Sequence, residues 1–161
     1  MVDPTNHPAR DEWERMLSGE LYVADSPQQQ EANMRKRRLV QAINTSEYDA
    51  FKERDELFHE LFGAFGEGGF VEPPFNCDYG CNTFIGKNFY ANMDCIFLDV
   101  ARITIGDDVV IVAGSVVVKD IPSYSVAVGN PCHVIREITD ADCEYWEGKA
   151  AEYHAWKDSI Q

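Results

Sequence analysis

Ile103-Thr104-Ile105-Gly106-Asp107-Asp108-Val109 runs straight into Val110-Ile111-Val112-Ala113-Gly114-Ser115-Val116-Val117. Within this stretch Ile105, Ile111 and Val117 recur six apart, and a second series precedes them at Ile85, Ala91, Phe97 and Ile103. Small or polar residues follow at Gly86, Asn92 and Gly106, while Val112 departs from that habit. A period of six is neither the 3.6 of a helix nor the 2 of an ordinary strand. It predicts a parallel β-helix of short flat strands joined by tight corners. One coil cannot bury its own apolar face, so stacking is the source of stability. Evenly spaced ordinary strands are the plainer alternative. Seven in-phase positions and two Ile-Gly corners favour the coil.

Outward from this stretch, the rhythm begins at Phe75 and stops after Val128-Gly129-Asn130-Pro131. Upstream, Arg10 to Ser18 reads as a short helix closed by Gly19. A second helix opens at Ser26, with Pro27 in its first turn and Gln29 at the capping-box position. It runs to about Asn44, with Leu39, Val40 and Ile43 for an inner face; Arg35-Lys36-Arg37-Arg38 reads as a solvated face. A third helix is expected from Ser46 to Gly66, where Phe51, Phe58, Leu61, Phe62 and Phe65 make one apolar stripe. His59, beside it, reads as a surface helix histidine. Downstream, Thr139 caps a last helix carrying Tyr145, Trp146, Tyr153 and Trp156, expected to pack on the coil or a neighbouring subunit. The organisation is mainly β with helical ends: an N-terminal helical region over 1–70, a coil over 71–137 and a C-terminal helix over 138–161.

A chain of 161 residues fits one domain with a real core. It has 28 acidic against 14 basic residues, a net charge of −14, which argues against a nucleic-acid or anionic-membrane surface. The same acidity fits a salt-adapted protein or an ordinary acidic one. Five cysteines, Cys77, Cys81, Cys95, Cys132 and Cys143, lack the paired spacing of a zinc site; no metal is expected, and reduced buried thiols are. No apolar run is long enough to span a membrane, and Met1-Val2-Asp3-Pro4 is not a signal peptide, so a cytoplasmic protein is expected.

The motifs resemble those of the maltose and galactoside O-acetyltransferases, a branch of the hexapeptide-repeat acyltransferases. The resemblance rests on Met16-Leu17-Ser18-Gly19-Glu20-Leu21-Tyr22, Glu72-Pro73-Pro74-Phe75-Asn76-Cys77-Asp78-Tyr79-Gly80, Asn88-Phe89-Tyr90-Ala91-Asn92 and Leu98-Asp99-Val100. Gly114 to Pro122 and Gly129 to Arg136 extend it to the end of the coil. It implies a left-handed parallel β-helix, a homotrimer, and acetyl transfer from acetyl-CoA to a sugar hydroxyl in clefts between subunits. It also implies acceptor binding at Asp78, Tyr90 and Asn92, and a cofactor site at Ala113, Lys119, His133 and Arg136. Val118 stands where a threonine is usual, and His133 where an arginine is usual, which weakens that site.

The resemblance implies further coils, a loop and a segment with the catalytic histidine at the join between Val109 and Val110, where this sequence has none of them. No catalytic residue is therefore assigned. Of His7, His59, His133 and His154, only His133 is near the expected cleft as a substitute base, and its equivalent place faces the cofactor. His7 is followed by Pro8 but sits in an N-terminal arm. The resemblance thus implies an O-acetyltransferase with weak or lost activity. The alternative is a non-catalytic trimer-forming or CoA-binding relative, either a pseudoenzyme or a deletion product.

Overall fold

The computed structural model describes residues 11–160. Asp11 caps α1 (Glu12–Leu17), its carboxylate accepting from Glu14 N at 2.8 Å, and Gly19 turns the chain away at φ +74°. α2 (Pro27–Thr45) starts with the expected reciprocal cap, Gln29 N donating to Ser26 Oγ and Ser26 N to Gln29 Oε1. Leu39, Val40 and Ile43 form its buried face.

α3 (Phe51–Leu61) is shorter than the apolar stripe predicts. Phe62 is already extended, and Ala64–Phe65 is the first strand, β1. Phe65 fits the helical spacing, but it also lies six before Val71 and twelve before Cys77. The strand wins because the backbone is claimed by a neighbour: Gly63 N donates to Thr83 O at 2.9 Å and Gly66 N to Ile85 O at 3.0 Å. The approach is close enough that a Cβ on Gly66 would lie 2.3 Å from the Gly86 carbonyl carbon. The six-step rhythm therefore begins at Phe65, two strands before Phe75 in the same coil.

The remaining strands are β2 (Phe70–Val71), β3 (Phe75–Cys77), β4 (Thr83–Ile85), β5 (Tyr90–Ala91), β6 (Cys95–Phe97), β7 (Ile103–Ile105), β8 (Val109–Ile111), β9 (Val116–Val117), β10 (Ser125–Val128) and β11 (His133–Glu137). They make three faces: β1-β4-β7, then β2-β5-β8-β10-β11, then β3-β6-β9. All pairs are parallel except β10–β11. The predicted left-handed parallel β-helix with helical ends is the fold observed.

Register explains the two apolar series. Phe65 pairs with Ile85 and Ile85 with Ile105, twenty residues per coil: two six-residue steps and one longer step through a loop. Ile103 and Ile105 both point inward from β7, with Thr104 outward, so the two series are one core. One corner repeats a left-handed residue at Gly68, Asn88, Asp108 and Tyr124, and Asn88 Nδ2 donates to Asp108 Oδ1 of the next coil at 3.0 Å.

The join falls inside β8. Tyr90 and Ala91 pair with Val110 and Ile111, which pair in turn with Val126 and Ala127. Val109 and Ile111 are fully buried, so the stack closes across the join without a gap in its core. At the other end of the stack Phe58, Phe62, Phe65, Phe75 and Phe97 interlock, with Phe75 and Phe97 edge-to-face at 5.0 Å. α3 is thus the cover of the first coil.

α4 (Asp140–Ser159) is capped by Thr139 and Asp142 as expected but buries none of its residues. Tyr145, Trp146, Tyr153 and Trp156 are all exposed, so the expected packing on the coil does not occur within the chain. The chain folds back as β11 along β10 before the helix begins, and the stack ends there.

Candidate functional site

On the second face, Val71, Ala91, Ile111 and Ala127 point into the core, and their neighbours point out. Two outward rows result. One runs Phe70, Tyr90, Val110, Val126, Arg136 by direct strand pairing. The other runs Glu72, Asn92, Val112, Val128, His133, in step with it: Glu72 N donates to Ala91 O, Asn92 N to Ile111 O, and Val112 N to Ala127 O. Ala113 follows at the next corner, exposed, one coil from Met93. Tyr90, Asn92, Ala113, His133 and Arg136 thus share one face and its edge.

Local contacts decide what each can offer. The Tyr90 ring stacks on Phe70 at 6.2 Å and 5°. Burial, then the Glu72 charge, pushes its phenol up, so it stays a protonated donor at neutral pH. Asn92 Oδ1 accepts from Met93 N at 2.8 Å, which orients the amide group. Arg136 is engaged: Nη1 donates to Glu137 O at 2.8 Å and pairs with Asp142 at 3.1 Å. The Asp142 carboxyl is held below its ordinary value by the Thr139 N–H and hydroxyl, and then by Arg136. His133 is exposed, its Nδ1 3.3 Å from Pro131 O.

Asp78, Val118 and Lys119 gather elsewhere, where the third face turns toward the first. Asp78 N donates to Phe97 O and Leu98 N to Val117 O, so Asp78, Leu98 and Val118 follow one another across adjacent coils. Val118 and Lys119 are exposed, and Asp78 is half-buried. Within one chain, Asp78 is not brought to Tyr90 and Asn92.

A residue to which the sequence assigned no role holds this second corner. Asp99 is fully buried and accepts from Asp78 N at 3.1 Å, Tyr79 N at 2.8 Å and Asn82 N at 3.3 Å. Asn82 Nδ2 returns a bond to Asp99 O at 2.8 Å. Burial pushes the Asp99 carboxyl up, and these N–H donors oppose it. Burial and then the Asp99 charge push Asp78 up as well, with Lys36 opposing. The available signal was positional: Asp99 follows the inward Phe97 by two, at the start of a loop.

Among the described residues His59 lies on α3, half-exposed and 3.7 Å from Asp55, and His154 lies on the exposed α4. Asn92 and His133 are three strand spacings apart, about 14 Å. His7 lies outside the described residues. Cys77, Cys95 and Cys132 are buried free thiols, and burial raises each. No helix among the described residues is long and apolar enough to cross a membrane.

Comparison with known proteins adds relatives to this geometry. Residues 15–66 match the maltose acetyltransferase hexapeptide capping motif. Galactoside O-acetyltransferase of Escherichia coli K12 is 30% identical, over 83% of this chain and 92% of its own length. That alignment runs over 187 positions, more than this chain's 161 residues, so the relative carries internal residues that this chain lacks. A maltose O-acetyltransferase of Clostridium difficile 630 superposes with a TM-score of 0.63 at 34% identity, covering 82% of this chain and 100% of that one. A galactoside acetyltransferase in complex with coenzyme A superposes at 0.64 with 30% identity, covering 83% and 94%. Whole-length identity and a shared coil lead to one conclusion: the chain belongs to the maltose and galactoside O-acetyltransferase family of hexapeptide-repeat acetyltransferases, as a member shorter than its relatives.

Proposed function

We propose that this protein binds acetyl-CoA and a sugar, and that it transfers the acetyl group to a sugar hydroxyl slowly or not at all. In that transfer the hydroxyl oxygen bonds to the thioester carbonyl carbon, the C–S bond breaks, and the hydroxyl proton must leave. Tyr90 and Asn92 supply directional hydrogen bonds to the acceptor, and Asp78 supplies a carboxylate from the other corner. Ala113, Lys119, His133 and Arg136 hold the CoA, and their exposure at the coil edges is compatible with that role. Arg136 would exchange its exposed Asp142 partner for a phosphate, at small cost because such surface pairs are worth little.

The observation that carries this reading is the closed join. β5 is followed by β8 and β10, so Val110 and Val112 stand next to Tyr90 and Asn92. A general base works within about 3 Å of its proton. His133, at about 14 Å from Asn92, is too far to serve as a base within one chain. A homotrimer would bring the Asp78 corner of one subunit to the Tyr90 face of the next, so the reading includes trimer formation.

The test is thiol release from acetyl-CoA with glucosides, galactosides and maltose, beside the Escherichia coli galactoside enzyme. The expected rate is lower by about 10²–10⁴-fold, the usual contribution of a base. Equal rates would overturn the proposal. The non-catalytic reading is favoured by the same closed core, which keeps the fold intact without the missing segment. Calorimetric CoA binding without any turnover would select it.

A further inference from the structure

Tyr90 is not an isolated ring. Phe70 stacks on it at 6.2 Å, Phe51 lies 6.2 Å beyond Phe70, and Tyr48 lies 6.4 Å beyond Phe51. This track climbs from the second face onto the turn between α2 and α3, and it ends in the open: Phe51 is 51% exposed and Tyr48 89%. A cleft of about 360 Å³ lies at its outer end, lined by Tyr48, Phe51, Arg54, Glu72, Pro73 and Met93 among others, while Phe70 and Tyr90 do not line it. That volume is within the range of small-molecule sites.

The exposed end is held in place. Arg54 is buried, and its guanidinium donates to Ser46 Oγ at 3.1 Å, Glu47 O at 2.6 Å and Tyr48 O at 2.9 Å. The same group sits 5.1 Å from the Phe51 ring centroid. A buried cation thus fixes the backbone that carries Tyr48 and Phe51, which lowers the ordering cost of binding. Hydrogen-bonding groups run beside the rings: Glu72 lines the cleft and shares a row with Asn92.

From this arrangement we infer that the Tyr48–Phe51–Phe70–Tyr90 track is a glycan subsite, taking an acceptor longer than one pyranose ring. The inference rests on the proposed acceptor role of Tyr90 and Asn92. A pyranose presents C–H groups on its faces and hydroxyls at its rim. The first suit aromatic faces, whose π-clouds are electron-rich; the second suit Glu72 and Asn92. The track is longer than a single six-membered ring, so a monosaccharide at Tyr90 leaves Tyr48 and Phe51 unused.

Calorimetric titration of the full chain with glucose, with maltose and maltotriose, and with cellobiose and cellotriose tests this, with CoA titrated in parallel. In at least one series the trisaccharide should bind about tenfold tighter than glucose, as two further aromatic contacts imply. Tyr48→Ala and Phe51→Leu should each reduce that preference severalfold and leave CoA affinity unchanged. Equal binding of glucose and both trisaccharides overturns the subsite, as do variants that keep the preference. CoA affinity that falls in the variants also overturns it, because the track would then serve the nucleotide. If CoA fails to bind while the length preference persists, the acetyl-transfer reading falls and the subsite stands.

Discussion

Asp99 shows how a single side chain can organise a corner. It lies two residues past the third strand of its coil, and its carboxylate collects the amides of Asp78, Tyr79 and Asn82 from the coil before. Removing an acceptor leaves each buried N–H to bear its own desolvation cost. Asp78 N keeps Phe97 O, so Asp99→Leu orphans the Tyr79 and Asn82 amides and should destabilise the chain by about 2 kcal/mol or more in urea unfolding. Asp78, half-buried beside it, has a raised folded value, so the fold holds its proton more tightly than the unfolded chain does. Stability from this group is greatest at low pH and falls as pH rises from about 4 through the raised value. Between pH 4 and 7 the melting temperature of the wild type should decline relative to that of Asp78→Asn. A constant difference would mean that neither burial nor the Asp99 charge raises Asp78. Asp99 could be quoted from the sequence as part of Leu98-Asp99-Val100, but its partners lie seventeen to twenty-one residues away. No local pattern reveals such contacts.

Elements were legible where one period ruled. All seven hexad positions are buried, and the capping box at Ser26 and Gln29 is present. The end of α3 differs from the expected one because Phe65 satisfies the helical period and the coil period together; pairing with β4 decides between them. α4 does not pack on the coil within the chain, which was one of the two placements expected for it. Its aromatics share one arc of about 100° and promised burial, but that face meets nothing else in the chain, and none is buried. Two substitutions make the contrast measurable. Ile111→Ala empties a fully buried site in β8 and should cost about 2–5 kcal/mol. Trp146→Ser, on an exposed face, should change stability by no more than about 0.5 kcal/mol. A large loss from Trp146→Ser at low protein concentration would mean that α4 packs on the coil after all.

At the scale of the whole molecule, the fold survives the loss of coils because its unit is the coil. Each twenty-residue turn meets only its neighbours, so an internal segment can go if the register across the cut is kept. Function is not modular in that way. The face carrying Tyr90 and Asn92 is complete, yet Val110 and Val112 are now its neighbours. The family was legible from motif order. The division of the predicted site into two corners was not, because it depends on which face each loop leaves.

Closure across the join has one direct test, amide hydrogen exchange at Asn92. Its N–H, one residue past β5, donates across the join to Ile111 O at 2.9 Å, so it is bonded only when the two halves of the chain are stacked in this register. Exchange as slow as global unfolding allows is the result expected of a closed coil. Exchange at the rate of an exposed loop would contradict it, and with it the placement of every residue on the second face.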